Sequence, residues 1–132
     1  MVVRMNSERS VVNTFIAELR DETVQKDPLR FRRNLERIGE VMAYELSKTF
    51  DYSEKEVISP LGTARVELAD EKPVLATILR AGLPLHQGLL NYFDRADCAF
   101  VSAYRKHRTG EDGFDIEVEY MSSPSLEDRV LV

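Results

Sequence analysis

The stretch VLATILRAGLPLHQGLLNYFDRADCAFVSAY, residues 74–104, decides the fold. Its first six residues form an almost unbroken apolar run of strand length, which is typical of a strand buried on both faces of a parallel sheet. Pro84 opens a predicted helix over residues 84–93, and a second apolar run follows at 98–104 after a short turn. Strand, helix and strand in this order predict a βαβ unit.

Two helices are predicted before this unit. Apolar residues recur at helical spacing from Arg9 to Arg20, with Ser7 or Ser10 available as a cap. Residues 28–49 give the clearest helical pattern, because Asp27 precedes a proline at the first helical position. The apolar positions of this second helix follow at steps of three or four, namely Phe31, Leu35, Ile38, Met42 and Leu46.

Three further segments are β-prone. Residues 55–69 predict a hairpin with one wet face, because Pro60 and Gly62 separate two short runs. Residues 114–120 alternate apolar and acidic side chains, which predicts a half-exposed strand, and 129–132 predict the start of a buried strand. We therefore expect a single α/β domain over residues 1–132, incomplete at its C-terminus.

Composition narrows the classes of partner and location. The 18 basic and 23 acidic residues give a net charge of −5, which argues against binding to nucleic acid or to anionic lipid. No apolar run approaches the roughly 20 residues of a membrane helix. The single cysteine cannot form an internal disulfide, so a reducing, cytoplasmic location is predicted. One cysteine and two distant histidines match no zinc-ligand spacing.

Two arginines follow the two apolar runs, where parallel strands meet their ligands. Arg80 lies just before the predicted helix, and the backbone N–H groups of Ala81, Gly82 and Leu83 could point with the helix N-terminus at a phosphate. Gly82 would let the main chain approach that phosphate closely. Arg105 occupies the equivalent end of the second strand. A guanidinium donates two hydrogen bonds at once to phosphate and stays charged.

Competing interpretations accompany these residues. The basic run 104–108 also reads as a solvated loop, and a strand that ends in R-A-G is by itself a weak signal. Neither histidine receives a role. His86 is interpreted as a partly buried or surface histidine, and His107 as part of a solvated charge cluster. Cys98 is interpreted as a small core residue, and Tyr104 as packing against or capping the sheet edge.

Several motifs together resemble one family. ILRAGL, with Gly88 six places past Gly82, and SAYR after the next strand resemble uracil phosphoribosyltransferase, as do RFRRNLERIGEVMAYELSK and SPLG upstream. The resemblance runs from about Asn13 to Val132. It implies a type I phosphoribosyltransferase fold, an α/β parallel sheet flanked by helices with a β-hairpin.

The same resemblance implies transfer of ribose 5-phosphate from phosphoribosyl pyrophosphate (PRPP) to uracil, which gives UMP and pyrophosphate with Mg²⁺. In that family the arginine of LRAG and the arginine of the following YR contact PRPP, and they match Arg80 and Arg105. Ala81 and Gly82 complete the implied pyrophosphate loop. Related phosphoribosyltransferases often carry a non-proline cis peptide in this loop, so we expect one at Arg80–Ala81.

Assembly and regulation are also implied. A homo-oligomer, a dimer or higher, is expected, with the hairpin at 55–69 and the N-terminal helices as candidate interface elements. Some family members respond to GTP, and Arg30, Arg32 and Arg33 could bind such an effector, although a solvated helix face explains them more simply.

Two parts of the family pattern do not occur in the sequence. These are the acidic D-P-M-L-A-T-G loop that cradles the ribose phosphate and the glycine-rich region that binds uracil. The catalytic groups are therefore expected beyond Val132, and this chain alone is expected to be inactive. A phosphoribosyltransferase for another base and a non-catalytic pyrimidine-sensing regulator on the same fold stay open as alternatives.

Overall fold

The computed structural model describes residues 4, 5, 7, 9–107 and 113–132. Within these residues three α-helices, one 3₁₀ turn and five strands follow in chain order. They are α1 (Val11–Arg20), the 3₁₀ turn (Val24–Lys26), α2 (Pro28–Ser47), β1 (Tyr52–Ser59), β2 (Gly62–Ala69), β3 (Val74–Leu79), α3 (Leu83–Leu90), β4 (Asp97–His107) and β5 (Phe114–Ser122).

Helix α2 begins where its sequence predicts. The Asp27 carboxylate accepts hydrogen bonds from the N–H groups of Leu29 and Arg30, at 2.9 and 3.1 Å. This side chain satisfies two of the four N–H groups that a helix start leaves unpaired. Helix α1 is joined to α2 by the fully buried Asn34, whose Nδ2 donates to the Glu18 carboxylate at 2.6 Å.

The predicted βαβ unit is confirmed. β3 and β4 pair in parallel, from Val74 opposite Asp97 to Leu79 opposite Ser102, and β5 adds antiparallel to β4. The chain end at 130–132 runs parallel along the other edge of β3, where the Val74 N–H donates to the Val130 carbonyl at 2.8 Å. This confirms a strand-like end, but its Leu131 side chain is 54% exposed rather than buried.

One face of the sheet holds the core. Leu75 of β3 is fully buried against Ala43 of α2 and Leu89 of α3. Side chains alternate between the faces of a strand, so Ile78 lies on the opposite face, where it is 63% exposed. The prediction that β3 is buried on both faces holds at its start, where Val74 and Leu75 are both fully buried, and is wrong at its end, because α2 and α3 both pack on the Leu75 face.

The hairpin is present at the predicted position, but both of its faces are exposed to solvent and not one. β1 and β2 pair from Tyr52 opposite Ala69 to Ser59 opposite Gly62, and Gly62 adopts φ +131° at the turn. All eight residues of β2 are exposed, and Ile58 of β1 is 88% exposed. Both faces are wet because the two strands form a separate two-stranded sheet that pairs with no other described strand.

Candidate functional site

Arg80 lies in the turn that joins β3 to α3, at the carboxyl end of β3, as predicted. Arg80 and Ala81 are exposed, and Gly82 is the half-buried N-cap of α3. The Arg80 guanidinium forms no ion pair with any carboxylate of the described residues. Its donors are therefore available to an anionic ligand.

The backbone of this turn corrects the expected set of amide donors. The Gly82 N–H donates to the Ile78 carbonyl and the Leu83 N–H donates to the Arg80 carbonyl, each at 3.2 Å. These two groups close the turn and do not point at a ligand. The Ala81 N–H has no acceptor among the described residues, so one amide of the predicted three is left to donate.

A non-proline cis peptide is present in this turn, one bond earlier than predicted. It joins Leu79 to Arg80, whereas the expectation placed it between Arg80 and Ala81. Cis bonds are usually marked in a sequence by proline, and neither candidate bond has one. The sequence therefore carries no local sign of which peptide is cis.

Arg105 does not occupy an end equivalent to that of Arg80. β4 continues to His107 because it pairs with β5, and Arg105 lies opposite Ile116 within that pairing. Leu79, the last residue of β3, lies opposite Ser102. Arg105 lies three residue steps past Ser102, which places it about 10 Å further along the sheet. The predicted loop at this position is an antiparallel ribbon as far as His107.

Strand alternation divides the basic run. The Arg105 guanidinium lies 4.7 Å from the centre of the Phe114 ring. On the opposite face Lys106 pairs with Glu117 at 3.0 Å, and the Tyr104 hydroxyl donates to the same carboxylate at 2.9 Å. The two donors, Lys106 first, lower the pKa of Glu117.

Of the two cations Arg105 and Lys106, only Lys106 has a carboxylate partner among the described residues. The strand replaces the solvated-loop interpretation as far as residue 107, and Arg108 lies outside the described residues.

His86 is more buried than predicted. It is 5% exposed, its ring lies 5.2 Å from that of Phe100, and neither ring nitrogen has a hydrogen-bond partner. Burial lowers its pKa, because desolvation disfavours the charged imidazolium. His86 is therefore a neutral packing residue on α3 rather than a surface histidine.

Cys98 has the environment of a core residue. It is half-buried near the start of β4, and burial, followed by the negative charge of Asp97, raises its pKa. The thiolate is the reactive form of cysteine, so this environment disfavours a nucleophilic role. The geometry agrees with the packing role that the sequence indicated.

The arginines at the start of α2 are mostly paired within the protein. Arg30 contacts Glu18 at 3.3 Å and Arg33 contacts Glu36, while both arginines stay more than half exposed. Arg32 lines a cavity of about 580 Å³ between α2 and α3, together with His86. The solvated-face interpretation therefore fits Arg30 and Arg33.

Thr77 is the residue of this region that sequence reasoning missed. A Cβ atom on Gly82 would overlap the Thr77 hydroxyl oxygen, so the two residues are in close contact across the turn. The available signal was the one hydroxyl in the apolar run VLATIL, three residues before Arg80.

The parts of the chain that the structure describes contain no group of three or more His, Cys, Asp or Glu side chains suited to a metal ion. None of the helices described there has the length and apolar character required to cross a membrane.

A family model described as uracil phosphoribosyltransferase matches residues 6–125. The chain belongs to the uracil phosphoribosyltransferase family. A uracil phosphoribosyltransferase from Porphyromonas gingivalis is 53% identical over 131 residues, which cover 99% of this chain and 60% of that protein. Another, from Methanothermobacter thermautotrophicus, is 41% identical over 108 residues, which cover 80% of this chain and 49% of that protein.

A solved structure supports the family's fold. The AQ2163 protein from Aquifex aeolicus superposes with a TM-score of 0.79 at 25% identity, over 99% of this chain and 60% of that one. The resemblance drawn from ILRAGL and SAYR is thus confirmed, and so is the predicted α/β phosphoribosyltransferase-like fold. The chain spans about 60% of the length of the Porphyromonas relative.

Proposed function

We propose that the protein transfers ribose 5-phosphate from PRPP to uracil and releases UMP and pyrophosphate. The observation that carries the proposal is the β3–α3 turn, where Arg80 has no described ion-pair partner and the Ala81 N–H has no acceptor. Such a turn suits a phosphate group. Its place in a chain of the uracil phosphoribosyltransferase family supports PRPP as the source of that phosphate.

The turn would act on the leaving group. As the bond between ribose C1 and pyrophosphate breaks, positive charge develops on the sugar and negative charge grows on the departing oxygen. Arg80 donates two hydrogen bonds to the pyrophosphate and the Ala81 N–H donates a third, so both stabilise charge that appears in the transition state. Arg105 adds a second guanidinium from the β4–β5 ribbon. These residues bind and orient the pyrophosphate, and none of them is assigned to uracil.

Magnesium is proposed as a partner of the substrate. The residues of the turn offer a guanidinium and an N–H donor, which suit an anion and do not coordinate a cation. Mg²⁺ prefers a few carboxylates together with substrate phosphates. The ion would therefore arrive on the pyrophosphate of PRPP and neutralise part of its charge.

We also propose an oligomeric state, a contact for GTP and a cellular location. A homo-oligomer is supported by the hairpin β1–β2, which exposes Ile58 and Leu61 at 88% and 100%. Of the three arginines at the start of α2, Arg32 is the candidate for a GTP contact, since Arg30 and Arg33 have carboxylate partners. The cytoplasmic location rests on the single cysteine of the sequence.

The test is formation of UMP from uracil and PRPP with Mg²⁺, by the complete gene product and by residues 1–132 alone. We expect product from the complete protein and none from the 132 residues. Hypoxanthine and orotate serve as control bases. Product with either of them but not with uracil would favour a phosphoribosyltransferase for another base. PRPP or UMP binding without turnover would favour a regulator.

A further inference from the structure

The glycine of the turn is not required by its backbone angles. Gly82 has φ −73° and ψ −15°, which are helical values that any residue adopts. Its need for the absence of a side chain comes from packing. A Cβ there would overlap Thr77 Oγ1 and would lie 2.9 Å from the Ile78 carbonyl oxygen.

Thr77 fills that space from inside the sheet. It lies on β3 opposite Phe100, is half-buried, and shares the face of Leu75, which packs against the helices. Threonine is branched at Cβ, so its χ1 angle is restricted and the position of its hydroxyl is well defined. The contact therefore joins a rigid strand to the N-cap residue of α3.

The contact between Thr77 and Gly82 closes the segment that carries the two groups proposed to bind pyrophosphate. Arg80 and Ala81 lie between Thr77 and Gly82 in the chain, and the Gly82 N–H bond to the Ile78 carbonyl closes the same segment. The Gly82 carbonyl accepts from the His86 N–H at 3.0 Å, which ties the turn to α3. A movement of Gly82 would thus displace the Ala81 amide and the Arg80 guanidinium together.

We propose that Thr77 is a positioning residue for the pyrophosphate of PRPP. Its hydroxyl, packed where Gly82 has no Cβ, holds the Arg80–Ala81 turn in the geometry that receives the leaving group. The inference rests on the proposed function and adds a residue that does not itself touch the ligand. Fixing donors before the ligand arrives matters because misplacement of about 1 Å costs about a hundredfold in rate.

The test is a suppressor experiment on the complete gene product. Gly82→Ala should raise the KM for PRPP by about tenfold or more, because the new methyl displaces the turn. Thr77→Ala alone should raise it several-fold, and Thr77→Ser, which keeps the hydroxyl, should stay near the wild-type value. The double variant Thr77→Ala/Gly82→Ala should have a lower KM for PRPP than Gly82→Ala, since the removed side chain makes room for the added methyl.

Gly88→Ala is the matched control. A Cβ at Gly88 would overlap the backbone oxygen of Glu36 on α2, which is not part of the turn. Thr77→Ala should therefore not reverse the effect of Gly88→Ala. The KM for uracil should change less than twofold in the Thr77 variants. A purely structural role would lower the active fraction and the melting temperature while leaving the KM for PRPP unchanged.

A second readout does not depend on turnover. In the free protein, Thr77→Ala should speed hydrogen exchange at the Gly82 and Leu83 N–H groups, whose bonds close the turn. If the wild type forms no UMP, the proposed function fails, and the exchange rates still report on the contact. Unchanged exchange, an unchanged KM for PRPP in Thr77→Ala, or a double variant no better than Gly82→Ala would each overturn the inference.

Discussion

The two arginines proposed to contact PRPP lie in very different settings. Arg80 sits in a turn closed by two backbone hydrogen bonds and by the packing of Thr77 on Gly82. Arg105 lies on a two-stranded ribbon that extends past the end of β3, with its guanidinium on the exposed Phe114 ring. A donor carried on a closed turn starts near its working position, whereas a donor on a ribbon that projects past the rest of the sheet must first be ordered. We therefore expect Arg80 to contribute more than Arg105 to the stabilisation of the pyrophosphate of PRPP.

The largest predicted effect follows from removing the guanidinium of the closed turn. Arg80→Ala should lower kcat/KM for PRPP by about 10²–10³-fold, the range measured when a preformed donor to developing negative charge is removed. Steady-state kinetics at varied PRPP measure this loss. The exposed Arg95, in the turn after α3, provides a matched control, and Arg95→Ala should stay within twofold. An Arg80→Ala enzyme with wild-type kinetics would rule out the assigned contact.

A smaller effect is expected in stability, and it separates the packed region from the ribbon. Gly88→Ala should destabilise the fold by about 1–3 kcal/mol, because its Cβ would overlap the Glu36 backbone where α3 crosses α2. Ile116→Ala, at a β5 position that is 69% exposed, should change the free energy of unfolding by less than about 0.5 kcal/mol. Denaturant titration measures both free energies of unfolding. Equal losses in Gly88→Ala and Ile116→Ala would contradict the contrast between a packed helix contact and an exposed ribbon.

Arg105→Ala should come next, with a KM for PRPP raised by about tenfold or less, since the loss of one solvent-exposed charged donor is worth about 1 kcal/mol. Lys106→Ala is the control, because that ammonium lies on the opposite face of β4 and pairs with Glu117. It should leave the KM for PRPP within twofold. If Lys106→Ala were the more damaging change, the polar face of the ribbon and not the Arg105 face would meet the substrate.

The smallest predicted effect concerns pH and the buried His86. Its folded-state pKa lies below the ordinary value of 6.5, so the unfolded chain binds a proton that the folded chain excludes. Stability should therefore fall as the pH is lowered through 6.5 toward the folded-state pKa. His86→Met should flatten this part of the profile.

The carboxyl groups with lowered pKa values, such as Asp97 and Glu117, lose their contribution in a more acidic range. Melting temperatures between pH 7.5 and 5.5 therefore isolate the histidine. An unchanged slope in His86→Met would contradict the assignment of His86 as a buried neutral group.

Periodicity and capping predicted the elements well, because those signals are local. The cap at Asp27 and the βαβ order of residues 74–104 are present as expected. The errors concern properties that depend on distant residues. The second apolar run did not show that β4 would continue to His107, because that extension depends on pairing with β5. The exposed face of Ile78 could not be anticipated, since its burial depends on which face the helices cover.

The candidate site divides in the same way. Arg80 was identifiable because an arginine between an apolar strand and a helix is locally unusual. Which amides of the turn stay free depends on backbone geometry, and the Gly82 and Leu83 amides are occupied within the turn. The role of Thr77 was not visible because it depends on the contact between a strand side chain and a missing Cβ five residues later.

The most direct test of the central claim is an NMR titration of the isotopically labelled protein with PRPP and, separately, with pyrophosphate. If the β3–α3 turn holds the leaving group, both ligands should shift the Ala81 amide and the Arg80 guanidinium resonances most strongly. The Arg105 signal should shift less. Saturable binding that leaves the Ala81 and Arg80 resonances in place while others move would contradict the account.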